Sequence, residues 1–411
     1  MIVAHSKTLS VIQIGLVVIF FIVAFGIRMQ ASLSNHSLPE EDALEYDQLA
    51  LNLIQGQGYR EEGELTARRP PFYSMFLAGI YAAAGHNYQA VRILQAVLST
   101  LTVVLIAAWA WLLFGAWSGC LAAFLAALHP GFYFYYYGCS ALITETLYTF
   151  LLTSALFTLY LYFTSRAWMV AALSGFAWGL AILTRPIPLS LLPVLPFALI
   201  LLGYSFWQTF RYHCIVGVVV LLVLSPWIIR NYLLFKTFVP VATMGGSQFY
   251  SSNHPDSDGF GDGLLKGVIY PQEQELKATG MNEAMRSKYF YKKGWEVIFF
   301  NPEKSFKLFL RKMFLYMDPI ITLYNQTPFK KIINWPYIFI LMASCAGFIL
   351  ALKDSAIRQS VLSMVFIFGY FAVIYALWHP GERYRFPSEP ILIVLTAYLL
   401  GWIPRRLLKN A

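Results

Sequence analysis

Two carboxylate positions and a set of arginines stand at the edges of long apolar segments, where ionisable groups are costly to place and usually have a purpose. The first lies in EEDALEYDQLALNL, which sets Glu41, Asp42, Glu45 and Asp47 just after the first apolar run. A helix starting at Asp42 would turn Tyr46, Leu49, Ala50 and Leu53 to one apolar face. An acidic first turn is itself stabilised by the helix macrodipole, which accounts for any single carboxylate here without invoking chemistry. Glu145 is the only charge in YYYGCSALITETLYTFLL, at the lip of an apolar segment. It reads either as a buried, hydrogen-bonded cap or as an acid, base or ligand position. Arginines recur beside proline or tryptophan: ARRPPF (Arg68, Arg69), LTRPIP (Arg185), SPWIIRN (Arg230) and GERYRFP (Arg383, Arg385). Snorkelling of the guanidinium to the interface explains one such residue easily. It explains recurrence at one boundary less well, whereas converging guanidinium forks suit a lipid-linked phosphate or pyrophosphate at headgroup depth. Aromatics make up 17% of the chain, with a run over Phe132–Tyr137; an interfacial belt is the default reading and stacking on a sugar ring the sharper one. His129 and His379 lie near the same boundary, but no HExxH-like spacing argues for a metal.

The elements that must position these groups are membrane helices. Hydrophobic residues are 58% of the 411 and charged residues 12%, against about 25% charge in soluble domains. That excludes an ordinary solvated surface. The net charge of +9 fits Lys and Arg holding cytoplasmic loops, so no nucleic-acid partner is expected. Cys120, Cys139, Cys214 and Cys345 show no CxxC spacing and read as packing residues. A crossing helix needs roughly 20 apolar residues. About ten spans meet this length approximately: Val11–Ile27, Ile93–Phe114, Trp117–Tyr136, Thr146–Phe163, Ala167–Leu183, Ile187–Leu202, Ile215–Ile229, Trp335–Leu352, Val361–Trp378 and Ile391–Ile403. The first lacks a small-x-small cleavage site and reads as a retained helix. Phe72–Ala84 is several residues too short and reads as interfacial or re-entrant.

If Phe72–Ala84 does not cross, Lys7, Arg166, Arg211, Lys353, Arg358, Arg405, Arg406 and Lys409 collect on one side, cytoplasmic by the positive-inside rule. Both termini are then cytoplasmic, in a multi-pass cell (inner) membrane protein. Glu40–Asp47, the Tyr135–Glu145 loop, Arg185, the long segment after Arg230 and His379–Arg385 fall on the external or periplasmic side. The expected organisation is an N-terminal membrane module (1–229) with a first external loop (28–92), a long external loop (230–334) and C-terminal membrane helices (335–411). The long loop carries a Gly/Asp-rich stretch, Asn253–Gly263, and a mixed-charge stretch, Glu273–Glu296, that reads as a soluble helix. The two external loops together would form a small cap.

Taken in chain order, DALEYDQLALNLIQGQGY, ARRPPFYSMFLAGIYAAAG, RILQAVLSTLTVVL, ALHPGF with LITETLYTFLL, GLAILTRP, SPWIIRNYLLF with FVPVATMGG, and HPGERYRFPSEP resemble the polyprenyl-phosphate-dependent membrane glycosyltransferases of the GT-C fold. The likeness is nearest to the branch holding protein O-mannosyltransferases and lipid A aminoarabinose transferases. Each segment is weak alone; together they cover nearly the whole chain. The resemblance implies an all-α polytopic fold and transfer of a sugar from a polyprenyl-phosphate carrier to a glycan, lipid or protein acceptor, usually with inversion. It implies Asp42 as catalytic base, with Glu145 positioning the acceptor or supporting a divalent cation, the one cofactor left open. It implies Arg69, Arg185, Arg230 and Arg383, with Arg385 as a further partner, as holders of the lipid phosphate. Some relatives carry an acidic residue where this chain has Arg68, which puts a metal site using that position in doubt. The paired-aromatic WWDxG-type signature of oligosaccharyltransferases is absent. Two other classes remain open: a transporter or flippase of lipid-linked saccharide, which would favour charges at mid-membrane and shows no internal repeat here, and a non-catalytic envelope assembly protein on the same fold.

Overall fold

The computed structural model describes residues 11–134, 137–259, 262–323 and 330–409. Lys7, the side chains of Arg405, Arg406 and Lys409, two tyrosines of the aromatic run (135–136) and residues 260–261 of the Gly/Asp-rich loop lie outside the described residues.

The chain is almost entirely helical. In order, the helices are α1 (Val11–Ser34), α2 (Asp42–Ile54), α3 (Pro71–Ala84), α4 (Tyr88–Phe114), α5 (Ala116–Leu128), α6 (Glu145–Ser165), α7 (Trp168–Thr184), α8 (Pro188–Leu191), α9 (Leu195–Leu201) and α10 (Phe206–Phe235). Then come α11 (Gly245–Asn253), α12 (Asp262–Leu264), α13 (Tyr270–Ala278), α14 (Glu283–Phe300), α15 (Pro302–Met317), α16 (Trp335–Ala351), α17 (Arg358–Leu377), α18 (Glu382–Arg385) and α19 (Glu389–Lys409). Two small antiparallel hairpins interrupt them: β1 (Arg60–Glu61) with β2 (Glu64–Leu65), and β3 (Ile320–Leu323) with β4 (Lys330–Ile333).

Among the described residues α1, α4, α6, α10 and α17 are long and apolar enough to cross a membrane, and shorter apolar helices, α5, α7 and α16 among them, pack into the same bundle. The protein is a multi-pass membrane protein. Lipid provides little hydrophobic drive between helices, so close backbone approach has to replace it. Gly175 and Gly179 supply that on α7: a Cβ there would stand 2.9 Å from Val219 and 2.8 Å from Val223 of α10.

Three of the expected spans take a different form. Ile187–Leu202 is broken into α8 and α9, because Pro193 and Pro196 lack the N–H a continuous helix requires. Trp117–Tyr136 stops as a helix at Leu128, and its last carbonyls are closed by a buried arginine from α1. Arg28 Nη2 donates to Ala126 O (2.9 Å) and Nη1 to Ala127 O (3.1 Å), satisfying groups that a helix end leaves orphaned. Ile215–Ile229 extends to Phe235, running through Pro226.

The short apolar run after Pro70 forms α3, 14 residues or about 21 Å, less than a hydrocarbon core of about 30 Å. It lies against α2, and Tyr73 Oη donates to Gln95 Oε1 of α4 at 2.8 Å. Asp47 fastens the same layer, accepting from Tyr81 Oη (2.6 Å) and Tyr88 Oη (3.0 Å) and lying 2.9 Å from His86 Nε2. α3 is thereby fastened to α2 and to the first turns of α4. A cysteine at Ala84 is expected to react with a membrane-impermeant maleimide from the same side as one at Gly381. Opposite reactivity would mean that α3 crosses.

Candidate active site

The sequence elements that carry candidate chemistry converge at one end of the bundle. Asp42 and Glu45 occupy the first turn of α2. Arg69 precedes α3 on a strand of chain held by Tyr59, whose hydroxyl donates to the carbonyls of Arg69 (3.2 Å) and Pro70 (3.1 Å). Glu145 opens α6, and Arg185 closes α7 in extended backbone imposed by Pro186. Arg383 sits on α18, which follows Gly381 at φ 141, a conformation reserved for glycine.

Their charged ends form an alternating chain. Arg69 Nε meets Glu45 Oε2 at 2.6 Å, and its Nη2 meets Asp42 Oδ1 at 2.6 Å. Arg383 Nη1 takes the other Asp42 oxygen at 2.8 Å, and its Nε takes Glu145 Oε1. Arg185 binds that same Glu145 oxygen through Nη2, while its Nε donates to Thr144 Oγ1 at 3.0 Å. Thr144 Oγ1 in turn donates to Glu145 Oε2 at 3.1 Å. Tyrosines wall the chain: Arg69 lies over Tyr46 (5.3 Å), and Arg185 over Tyr384 (5.1 Å) and Tyr148 (5.8 Å), as guanidinium favours.

Three carboxylates and three guanidiniums leave the site near neutral, but the two acids are not equivalent. The Asp42 side chain is 32% exposed and the Glu145 side chain fully enclosed. Asp42 can meet a substrate; Glu145 anchors Arg185 and Arg383. Burial works against ionising Asp42, yet the Arg69 and Arg383 guanidiniums outweigh it and hold the carboxyl well below the ordinary range. Asp42 is therefore a carboxylate at neutral pH, and a weak proton acceptor while both arginines hold it. Glu41, directly before it, carries φ 47, a strained conformation for a non-glycine residue of the kind that collects at functional sites.

The expected site residues divide accordingly. Asp42, Glu145, Arg69, Arg185 and Arg383 come together. Arg230 does not: its Nη1 donates to Thr66 O (2.7 Å) and Asn231 Oδ1 (2.9 Å), its Nη2 to Tyr59 O (3.3 Å), and it lies over Trp227 at 4.7 Å. It braces the β1–β2 turn that presents Arg69. Arg385 is also elsewhere, fully buried and 2.8 Å from Glu389, with its Nη1 donating to the carbonyls of Tyr316 and Asp318. Its Nε and Nη1 are spent inside the protein and its Nη2 is buried without a partner, so it is enclosed rather than turned to a lipid phosphate. His129 lies 3.1 Å from the same Glu389, so both belong to a packing layer beneath the site. Glu45 is the residue that sequence reading left out of the set. Its three-residue offset from Asp42 puts both on one helical face, the signal that identifies it.

Arg68 turns away from its neighbour, lying 3.6 Å from Glu273 and 3.9 Å from Glu61, with Tyr270 4.8 Å below. The donor set does not fit a divalent cation. Both Asp42 oxygens are taken by guanidiniums, and those of Glu145 by guanidiniums and a hydroxyl. Among the described residues no three His, Cys, Asp or Glu side chains gather as ligands. The cation bridging the two acids is Arg383.

Residues 68–229 match the family model of dolichyl-phosphate-mannose-protein mannosyltransferases. No curated protein matches the chain in sequence. In structure it is similar to the archaeal oligosaccharyltransferase AglB from Archaeoglobus fulgidus in complex with an inhibitory peptide and a dolichol-phosphate. That match has 14% identity and a TM-score of 0.61 over 97% of this chain and 52% of that one. The same enzyme in complex with Zn and sulfate gives 16% identity and a TM-score of 0.60 over 95% and 49%. ArnT from Cupriavidus metallidurans bound to undecaprenyl phosphate aligns at 15% identity and a TM-score of 0.47 over 94% and 77%. The chain thus spans about half the length of the oligosaccharyltransferase structures it matches. Family model and fold agree on the resemblance drawn from the sequence motifs, and this chain is a polytopic membrane protein with the GT-C glycosyltransferase fold.

Proposed function

We propose that the protein is a membrane glycosyltransferase that takes a sugar from a polyprenyl-phosphate carrier and places it on a glycan, lipid or protein acceptor at the external face of the cell membrane. The observation that carries this reading is the position of Asp42: solvent-reachable, ionised, and clasped by two guanidiniums, Arg69 and Arg383, whose forks match a phosphate. The external assignment rests on charge: Arg166, Lys353 and Arg358 lie at the opposite end of the bundle from the site, as the positive-inside rule expects of the cytoplasmic side.

In this reading the incoming phosphate competes with Asp42 for the arginines. As Arg69 and Arg383 turn to the phosphate oxygens, Asp42 loses the partners that suppress its basicity and becomes able to accept a proton. The acceptor oxygen or nitrogen attacks the anomeric carbon, and its proton passes to Asp42. The bond from that carbon to the phosphate oxygen breaks, and the electron pair leaves with the phosphate, neutralised by the guanidiniums. In-line attack opposite the leaving phosphate inverts the anomeric centre. Glu145 holds Arg185 and Arg383 in register and does not itself meet the substrate.

The test is reconstitution in liposomes with a labelled polyprenyl-phosphate sugar, following release of polyprenyl phosphate together with glycosylated acceptor by mass spectrometry. Movement of the intact lipid-linked sugar between leaflets without release would make the protein a transporter instead. Comparing envelope glycans with and without the protein identifies sugar and acceptor. Because the guanidiniums of Arg69, Arg185 and Arg383 supply the positive charge that a leaving phosphate needs, transfer is expected to persist at full rate after exhaustive chelation with EDTA. A loss restored by added Mn²⁺ or Mg²⁺ would place a metal at the two carboxylates.

A further inference from the structure

Helices α14 and α15 meet in an elbow at Asn301, and some of the aromatic residues on each are exposed. On α15, Phe306, Leu310 and Phe314 are 60%, 41% and 77% exposed, and their spacing of four puts them in a single stripe. On α14, Trp295 and Phe299 are exposed as well. The next stripe of α15 is exposed and basic, with Lys304, Lys307 and Arg311 against one carboxylate, Glu303, which pairs with Lys307 at 2.5 Å.

The other face of α15 fixes its place. Lys312 is fully buried, its Nζ donating to Ser252 Oγ (2.8 Å) and Asn253 Oδ1 (3.0 Å). Tyr316 stacks on Tyr375 at 5.9 Å and reaches Phe368 of α17 at 6.2 Å. Phe368 lies nine residues before α17 ends at Leu377, about 13 Å along the axis. Because α17 is long and apolar enough to cross the membrane, its contacts with Tyr316 through Phe368 and Tyr375 set the last turn of α15 beside the final turns of an apolar span. An exposed phenylalanine stripe there suits acyl chains, and the cations beside it on the neighbouring stripe, Lys307 and Arg311, suit headgroup phosphates.

We propose that the α14–α15 elbow is a docking face for phospholipids with anionic headgroups in the leaflet at the site end, with acyl chains along Phe306, Leu310 and Phe314 and the phosphates at Lys307 and Arg311. The face is tied to the catalytic end, since Tyr316 O and Asp318 O, at the foot of α15, hold Arg385 (2.9 and 2.7 Å) two residues after Arg383.

The full-length protein, with the exposed Cys214 and Cys345 replaced by serine, can be spin-labelled at position 306, 314 or 304 in phosphatidylglycerol/phosphatidylethanolamine liposomes. Labels at 306 and 314 are expected to relax with oxygen and resist an aqueous nickel chelate, and the label at 304 to do the reverse. Nickel access at 306 and 314 would overturn the proposal, as would protection from both reagents, which would mean that a protein covers the face. In native mass spectrometry, Lys307→Glu with Arg311→Glu is expected to cut retained phosphatidylglycerol several-fold relative to phosphatidylethanolamine. Both positions are exposed, so unchanged thermal unfolding controls for folding. Equal retention of the two lipids would remove the headgroup assignment.

Discussion

Asp42→Asn is expected to lower sugar transfer by about 10²–10⁴-fold, the range that a positioned general base contributes, while polyprenyl-phosphate binding stays near wild type. The substitution keeps the volume and one acceptor oxygen for Arg69 or Arg383 but removes the negative charge and the ability to take a proton. Binding survives because the arginines that would hold the phosphate remain, now free of the carboxylate that competes for them. Single-turnover rates and calorimetric binding of polyprenyl phosphate separate the two effects. Wild-type transfer by this variant would remove Asp42 from the chemistry. The pH dependence follows from the same geometry. The folded-state pKa of Asp42 lies below its ordinary value, so the stability it contributes is present above the usual carboxylate range near pH 4. It is lost only as pH falls below that range, toward the depressed value.

Arg383→Ala has a second large effect, on stability as well as activity. It deprives Asp42 of one guanidinium and leaves the enclosed Glu145 with Arg185 as its remaining guanidinium. Breaking a buried ion pair from one side costs about 3–5 kcal/mol. Asp42 is one-third exposed, and solvent screening there brings the expectation to the lower end of that range. Transfer should be lost, because the variant lacks both the clamp on the phosphate and the link between the two acids. Arg383→Lys separates charge from geometry. An ammonium restores the positive charge, but it is a point charge without the planar fork that spans both carboxylates. It is expected to recover much of the thermal stability and little of the transfer rate. Equal recovery of both would reduce Arg383 to a counter-charge, and an unchanged melting temperature in Arg383→Ala would show the bridge to be slack.

The membrane class was legible from composition, since 12% charge cannot cover a solvated surface. The helices were legible from runs of apolar residues, Phe72–Ala84 among them as the shorter helix α3. Local pattern failed where backbone chemistry or a distant partner intervened. Prolines inside an apolar run split α8 from α9, and a buried arginine from another helix closed α5 early. At the site, residue type and boundary position marked Asp42, Glu145, Arg69, Arg185 and Arg383 as a set, together with Arg230 and Arg385, which have the same local signature. What a guanidinium binds is not a local property. Arg383 reaches Asp42 across 341 positions of sequence, whereas Arg385 finds Glu389 four residues on and the carbonyls at the foot of α15.

By itself, then, the sequence determined that this is a helical membrane protein with acids and arginines gathered at one boundary, because hydropathy and length act residue by residue. Only the tertiary structure decided which arginines clasp the acids, which acid stays open to a substrate, and that a guanidinium bridges the two carboxylates. Those outcomes depend on how the ends of separate helices meet, and nothing local in the chain encodes that meeting.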